Sequence, residues 1–289
     1  MITEATAIKS QKEDDMIVYR GMDKATLDLA YDCTLTVPDF GNDYVAMKQR
    51  SAEVYQKYEH KANLSYAPNK RNTFDLFPSN QAGAPTYIFI HGGYWQGCEK
   101  EDFAYIAEGP LSKGFNVILF EYTIAPEGTM SQIVTELYQC LDYLSSNAAA
   151  LGLTKGKICL SGHSAGGHLT LMGKDHSFVS HAFPLSALVE LEPISLCFLN
   201  DKLSLTPEEI ILHSPIRHTR VGVPMAIYVG GYELAELIRH SEEYYMRMKA
   251  LGNTVTAYSR CKQHNHFSLL DELSPEGDIT KDLVELMKQ

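Results

Sequence analysis

The stretch Leu160-Ser161-Gly162-His163-Ser164-Ala165-Gly166-Gly167-His168 decides the fold of this chain. Its Gly162-x-Ser164-x-Gly166 pattern is typical of a sharp turn between a strand and a helix, which holds the serine hydroxyl exposed. The apolar, partly β-branched run 157–161 before it predicts a buried strand, and the run 165–172 after it predicts a helix. Such a turn needs glycine on both sides of Ser164, because side chains there would collide. The pattern alone also fits an ordinary turn, so its meaning depends on the residues at the ends of the other strands.

The rest of the chain alternates short apolar runs with longer amphipathic ones. Helices of ten or more residues between short buried strands predict βαβ units, and hence a mostly parallel central sheet with helices on both faces. Two early strands joined by a short turn, at 63–66 and 73–77, predict an antiparallel N-terminal edge. The other strands are predicted at 86–90, 115–122, 186–189, 224–230 and 254–259, and the main helices at 102–112, 130–151, 236–251 and 278–289. This pattern defines an α/β fold class.

The N-terminal part of the chain has a different character. Residues 1–15 are polar and predict a loose arm, whereas residues 16–61 carry helical spacing. A helix predicted at 43–61 places Tyr44, Met47 and Val54 on one face, which either packs on the body of the protein or caps a pocket. Because the chain has no internal repeat, low-complexity linker or shift in composition, we expect a single α/β domain over residues 1–289.

Composition limits the class of partner. The 289 residues are 45% hydrophobic and carry a formal net charge of −11, which disfavours nucleic acid and anionic membrane surfaces. No apolar run approaches the roughly 20 residues of a membrane span, and the start lacks the apolar block of a signal peptide. The six cysteines include no Cys-x-x-Cys pair, which is typical of free thiols in a reducing compartment. We expect a cytoplasmic protein with a small-molecule substrate; the oligomeric state stays open, with a homodimer as one option.

A catalytic serine needs a base and an acid that orients the base, and both are expected just after strands of the sheet. Glu233 is the first acid after the strand 224–230, and the loop after 254–259 holds His264 and His266. The chain order Ser164, Glu233, His266 is the serine, acid, histidine order of this sheet type. Glu236 is the alternative acid, and His264 is the alternative base.

Backbone donors for a reacting oxygen are expected at two places. Gly92 and Gly93 follow the strand 86–90, where the lack of side chains lets N–H groups approach a substrate closely. The second donor would be the N–H of Ala165, directly after the serine.

The residues beside these donors predict the walls of a pocket. Tyr94 and Trp95 are expected to form aromatic walls, and His163 is a further candidate substrate contact. The spacing of His91, His163 and His168 does not match a metal site, and hydrogen bonds to the backbone are their more ordinary role. We therefore expect no metal and no cofactor.

The segments His91-Gly92-Gly93-Tyr94-Trp95 and Gly162-His163-Ser164-Ala165-Gly166-Gly167-His168 together resemble the kynurenine formamidase (arylformamidase) group of α/β-hydrolases. The same likeness holds for Tyr19-Arg20-Gly21-Met22-Asp23, Glu121-Tyr122-Thr123-Ile124-Ala125-Pro126 and Asn265-His266-Phe267, so that it runs from about residue 18 to about residue 273. The resemblance implies an α/β-hydrolase fold over nearly the whole chain.

Carried over position by position, the resemblance also implies roles for individual residues. It makes Ser164 the nucleophile, His266 the base and Glu233 the acid of a triad. It assigns the oxyanion hole to Gly92, Gly93 and Ala165. Two positions depart from the group, which usually has aspartate in place of Glu233 and Asp-His-Phe in place of Asn265-His266-Phe267.

The activity implied by the resemblance is hydrolysis of the formamide of an N-formyl arylamine. The most direct substrate is N-formyl-L-kynurenine, which would give kynurenine and formate in tryptophan catabolism. A small-acyl carboxylesterase or another amidase with the same triad is the alternative. A non-catalytic binder that keeps the α/β-hydrolase fold is the third hypothesis.

Overall fold

The computed structural model describes residues 16–289, apart from the side chain of Thr256. The arm predicted at residues 1–15 lies outside the described residues. The strands are β1 Lys61–Ser65, β2 Thr73–Phe77, β3 Thr86–Ile90, β4 Asn116–Phe120, β5 Ile158–His163, β6 His181–Leu185, β7 Met225–Gly230 and β8 Val255–Cys261. The α-helices are α1 Lys24–Ala30, α2 Phe40–Lys57, α3 Glu108–Ser112, α4 Met130–Ser146, α5 Ala148–Leu151, α6 Ala165–Gly173, α7 Glu192–Leu196, α8 Asn200–Leu203, α9 Pro207–Leu212, α10 Ala235–Ala250 and α11 Asp278–Leu286. Short 3₁₀ helices lie at Cys33–Thr36, Lys100–Ala107, Pro215–His218 and Ser268–Leu273.

The strands form one sheet in the order β1-β2-β4-β3-β5-β6-β7-β8. Strands β3 to β8 are parallel to their neighbours, while β2 runs antiparallel to both β1 and β4. The mostly parallel sheet and its antiparallel N-terminal edge are therefore confirmed, and the fold is that of an α/β-hydrolase. Strand β5 lies between β3 and β6, so the Gly-x-Ser-x-Gly segment leaves the middle of the sheet.

Alternation of side chains along the strands builds a hydrophobic core on each face of the sheet. In β3, Ile88 and Ile90 pack with one core cluster, whereas Tyr87 and Phe89 pack with the other. Helices α4 and α6 cover the first face, and α2, α11 and the 3₁₀ helix Lys100–Ala107 cover the second. Strands buried on both faces read as continuous apolar runs, which is why they are easy to find in the sequence.

Some predicted elements differ from the observed ones. The strand predicted at 186–189 is wrong: β6 is His181–Leu185, and Ser186, with a φ of 47°, already turns the chain out of the sheet. The helix predicted at 102–112 is a 3₁₀ helix followed by α3, and that predicted at 130–151 divides at Asn147 into α4 and α5. None of the helices formed by residues 16–289 is both long and apolar enough to cross a membrane.

Candidate active site

Ser164 lies in a strained turn between β5 and α6. Its backbone has φ 57° and ψ −116°, a combination that a residue with a side chain rarely adopts. A Cβ on Gly162 would lie 2.4 Å from the carbonyl oxygen of Gly166, and one on Gly166 would lie 2.0 Å from that of Ile90. Both glycines are therefore required by the close approach of backbone to backbone, and they leave the serine at the start of the helix.

Glu233 and His266 meet at the same edge of the sheet. Nδ1 of His266 lies 2.7 Å from Oε2 of Glu233, and both side chains are buried. The other carboxylate oxygen of Glu233 accepts hydrogen bonds from Ser186 Oγ at 2.5 Å and from the amide of Gly230 at 2.6 Å. A Cβ on Gly230 would lie 2.5 Å from the carbonyl oxygen of His264 and 3.0 Å from Cγ of Glu233, so glycine at this position lets the loop before His266 and the side chain of Glu233 pack closely.

The alternative acid and base have other partners. Oε2 of Glu236 accepts from Arg239 at 2.7 Å, and Nε2 of His264 pairs with Glu272 at 3.0 Å. The geometry thus pairs Glu233 with His266, whereas Glu236 and His264 are paired with other residues. The catalytic roles themselves remain predictions.

Ser164 and His266 line the same cavity but are not hydrogen-bonded to each other in the described part of the chain. Because Nδ1 of His266 pairs with Glu233, Nε2 is the nitrogen left for a proton transfer with the serine. Cys33 also lines the cavity, where its sulfur lies 3.0 Å from Tyr94 Oη, and it is one of the groups that raise the pKa of His266. Cys33 is therefore part of the electrostatic surroundings of His266, and no motif or spacing in the sequence indicated it.

Two neighbouring imidazoles have opposite electrostatic surroundings. Burial disfavours the charged form of His266, but Cys33 and Glu233 outweigh it and raise the pKa of His266 to about 10. Burial, with His266 as a like charge, holds the pKa of His163 well below its ordinary value. The two ring centroids are 4.3 Å apart, so a neutral ring packs against the one that holds the proton.

The loop after β3 passes close to the serine. A Cβ on Gly92 would lie 3.3 Å from Cβ of Ser164, and Gly93 has a φ of +105°, which favours glycine. Ala165 is buried at the first position of α6, where a backbone N–H has no partner within the helix. This is the arrangement that donors to an oxyanion require, since both segments meet at Ser164.

A buried network of charged side chains holds the loop of Gly92 and Gly93 in place. His91 bonds through Nδ1 to the carbonyl of Gly92 at 2.8 Å and through Nε2 to Glu121 at 3.0 Å. Arg71 donates to the same oxygen of Glu121 at 2.7 Å. Burial alone would raise the pKa of Glu121, but His91 and Arg71 lower it to about 2. Glu121 follows β4 directly, a position that could have indicated its role.

The cavity that contains Ser164 has a volume of about 430 Å³, within the range of roughly 300–1,000 Å³ typical of small-ligand sites. Its wall is largely apolar and comes from the N-terminal segment as well as from the sheet edge. The lining includes Cys33, Phe40, Tyr44, Met47, Arg50, Gly92, Gly93, Tyr94, Phe103, Tyr105, His163, Ser164, Phe198, His266, Phe267 and Asp271.

Of the predicted aromatic walls, the structure places only Tyr94 at the cavity. Tyr94 Oη donates to the carbonyl of Tyr31 at 2.7 Å and lies 3.0 Å from the sulfur of Cys33. The prediction for Trp95 is wrong, because its side chain is fully buried and packs edge-on against His168, with ring centroids 5.0 Å apart. Trp95 belongs to the core beneath α6 rather than to the pocket.

Of the three histidines considered as metal ligands, His91 and His168 hydrogen-bond to backbone carbonyls. Nε2 of His168 lies 2.7 Å from the carbonyl oxygen of His213, and His91 bonds to Gly92 and Glu121. Within residues 16–289, no group of three or more His, Cys, Asp or Glu side chains has a geometry that could hold a metal ion.

Comparison with known proteins defines the class first. A model of the BD-FAE family matches residues 75–180. Among solved structures, a candidate thioesterase from Silicibacter sp. TM1040 superposes with a TM-score of 0.77 at 26% identity, covering 89% of this chain and 98% of that one. Together with the sheet order and the strained Ser164 turn, these matches define an α/β-hydrolase enzyme.

Within that class, the similarity to kynurenine formamidases extends over most of the chain. The kynurenine formamidase of Danio rerio is 25% identical over 93% of this chain and 98% of its own length. That of Salmo salar is 26% identical over 78% of this chain and 81% of its own. The chain is therefore a kynurenine formamidase-like α/β-hydrolase.

Proposed function

We propose that the protein is a serine hydrolase that cleaves the formamide of an N-formyl arylamine, with N-formyl-L-kynurenine as its substrate. The observation that carries this proposal is that Ser164, in its strained turn, lines a largely apolar cavity together with several Phe and Tyr side chains, His266, Gly92 and Gly93. The similarity to formamidases along the chain supports the choice of a formyl group and an aromatic leaving group.

In the proposed reaction, neutral His266 takes the proton of Ser164 through Nε2 as the serine oxygen attacks the formyl carbon. The negative charge on the formyl oxygen is stabilised by the N–H groups of Gly93 and Ala165, each worth about 3 kcal/mol in comparable sites. The carbon–nitrogen bond then breaks as His266 gives its proton to the arylamine nitrogen. Glu233 stabilises the imidazolium that exists between these two transfers.

The formyl ester on Ser164 is then hydrolysed by the same groups. A water molecule loses a proton to His266 and attacks the formyl carbon, and the serine leaves as an alcohol with formate as the second product. No step needs a cofactor, because the electrons of the broken amide bond leave with the arylamine.

The test is release of kynurenine from N-formyl-L-kynurenine by the purified protein and by Ser164→Ala. We expect turnover by the unchanged protein and a loss of at least about 10³-fold in kcat for the variant. Ser195→Ala is the matched control, since its hydroxyl bonds to the carbonyl of Glu192 and the residue does not line the cavity. Formamide hydrolysis that persists in Ser164→Ala would contradict the proposal.

An esterase or thioesterase with small acyl substrates is the second candidate, favoured by the similarity to the Silicibacter protein. Formyl, acetyl and butyryl esters of one phenol separate the two, because a formamidase should lose kcat/KM steeply as the acyl group grows. Equal rates along the series, without hydrolysis of the formamide, would favour the esterase.

A further inference from the structure

The cavity carries a group of charges on the side formed by the N-terminal segment. Helix α2 places Asp43, Met47 and Arg50 on one face, at intervals of three to four residues, and all three line the cavity that contains Ser164. Asp271, from the 3₁₀ helix Ser268–Leu273, joins them and accepts from Nη1 of Arg50 at 2.7 Å. One guanidinium and two carboxylates are thus gathered at one wall of an otherwise largely apolar cavity.

The guanidinium of Arg50 has two neighbours, the carboxylate of Asp271 and the ring of Tyr105. Its central carbon lies 4.4 Å from the ring centroid of Tyr105, which also lines the cavity. An arginine has five N–H donors, and the side-chain hydrogen bonds of Arg50 within the described chain use one of its nitrogens, Nη1. A planar, stacked guanidinium with unused donors is suited to bind a carboxylate through two parallel hydrogen bonds.

Stability does not explain this arrangement. The side chains of Arg50 and Asp271 are 48% and 49% exposed, and ion pairs of this kind contribute about 0–1 kcal/mol to folding. A third carboxylate at the cavity, that of Asp32, is already engaged with the amide and hydroxyl of Thr34 at 3.1 and 2.6 Å. Their exposure leaves the charges of Asp43, Arg50 and Asp271 accessible to a ligand that enters the cavity.

We propose that Arg50, Asp43 and Asp271 recognise the α-amino-acid end of the substrate, with its carboxylate on Arg50 and its ammonium on the two aspartates. This inference rests on the proposed function, and it adds the residues that bind the charged end of that substrate. The arene then packs against the aromatic side chains Tyr44, Phe103 and Phe267, which line the same cavity as Ser164. The opposite charges of the ligand are matched by opposite charges of the protein.

The experiment compares N-formyl-L-kynurenine with 2-formamidoacetophenone, which has the same scissile bond and ketone but no charged end. We expect Arg50→Met to lower the ratio of kcat/KM for the zwitterionic substrate to that for the neutral one by about tenfold or more, mainly through KM. Asp43→Asn should lower the same ratio. Arg20→Met is the matched control, because Arg20 pairs with Glu243 at 3.0 Å, is similarly exposed and does not line the cavity.

The outcomes separate the inference from the function. A ratio that stays unchanged in Arg50→Met, while both formamides are hydrolysed, would overturn the inference and leave the formamidase in place. If neither formamide is hydrolysed, the function fails, and calorimetric binding of L-kynurenine and 2-aminoacetophenone to Ser164→Ala then decides the inference. Tighter binding of L-kynurenine that is lost on adding Arg50→Met supports the site, and equal binding of the two ligands overturns it.

Discussion

Replacing Cys33 with alanine should move the pH dependence of hydrolysis to lower pH. Cys33 and Glu233 raise the pKa of His266 to about 10 against the burial that opposes its charge. A general base must be neutral, so kcat/KM of the unchanged protein should rise with pH along a limb whose midpoint lies well above the ordinary value of about 6.5. Below that midpoint, each pKa unit changes the neutral fraction by about tenfold.

The magnitude depends on the groups that the substitution removes and on those that it leaves. Alanine deletes the sulfur that contributes to the raised pKa of His266, while Glu233 stays bonded to Nδ1 at 2.7 Å. An opposite charge within about 4–6 Å moves a pKa by about one to three units. The midpoint should therefore fall by about one unit or more, and kcat/KM below both midpoints should rise about tenfold. Tyr94 keeps its hydrogen bond to the carbonyl of Tyr31, so the pocket wall should remain in place.

The assay is kcat/KM for N-formyl-L-kynurenine from about pH 5 to about pH 10.5, with a stable aryl ester as a second substrate. Cys197→Ala is the matched control, since this thiol is also buried but bonds to the carbonyl of Ile194 and does not line the cavity. A Cys33→Ala profile that overlays that of the unchanged protein, or that moves to higher pH, would refute the reasoning.

Two further predictions concern the loop and the turn around Ser164. Glu121→Gln should lower kcat about tenfold with little change in KM, because it weakens the hydrogen bond from His91 that anchors the loop of Gly92. Glu127→Gln, at an exposed position, is the control. Equal kcat values for the two variants would contradict this role of Glu121. Gly166→Ala should destabilise the protein by about 1–3 kcal/mol in denaturant unfolding, because its Cβ would meet the carbonyl oxygen of Ile90 at 2.0 Å. Gly97→Ala, whose Cβ would meet nothing within 4 Å, should be tolerated, and similar losses in both variants would show that the Gly166 contact is relieved.

The sequence predicts well those strands that consist of continuous runs of apolar residues. Strands β3 and β4 are fully buried, and both were identifiable from continuous apolar runs. Strand β6 has a histidine at its first position and Pro184 inside it, which hid its pattern and moved the prediction into the following loop. The break at Asn147 between α4 and α5 carries no proline or glycine, so the long predicted helix had no visible end there.

The site residues that directly follow strands could be predicted from the sequence. Those that the N-terminal segment contributes to the cavity could not. The approach of Glu233 to His266 could be expected, because parallel strands end at one edge of a sheet. The neighbouring Tyr94 and Trp95 both carried an aromatic pattern, but their backbone turn sends only the first to the cavity. Cys33 and Arg50 gave no signal, because their importance comes from a tertiary contact that no local spacing encodes.

In the proposed enzyme, the residues for chemistry and those for specificity come from different parts of the chain, and these parts are in contact. Ser164, Glu233 and His266 follow strands of the sheet, whereas much of the ligand-facing wall comes from residues 31–50. The two parts meet where Phe40 packs against Phe267, the residue after the histidine, with ring centroids 4.9 Å apart. A ligand that fills the cavity therefore contacts both the wall formed by residues 31–50 and the loop that carries His266. Substitutions in α2 should change which arylamines are accepted while the sheet that supports the chemistry stays intact, since the cavity-facing side chains Asp43 and Arg50 lie outside both hydrophobic cores.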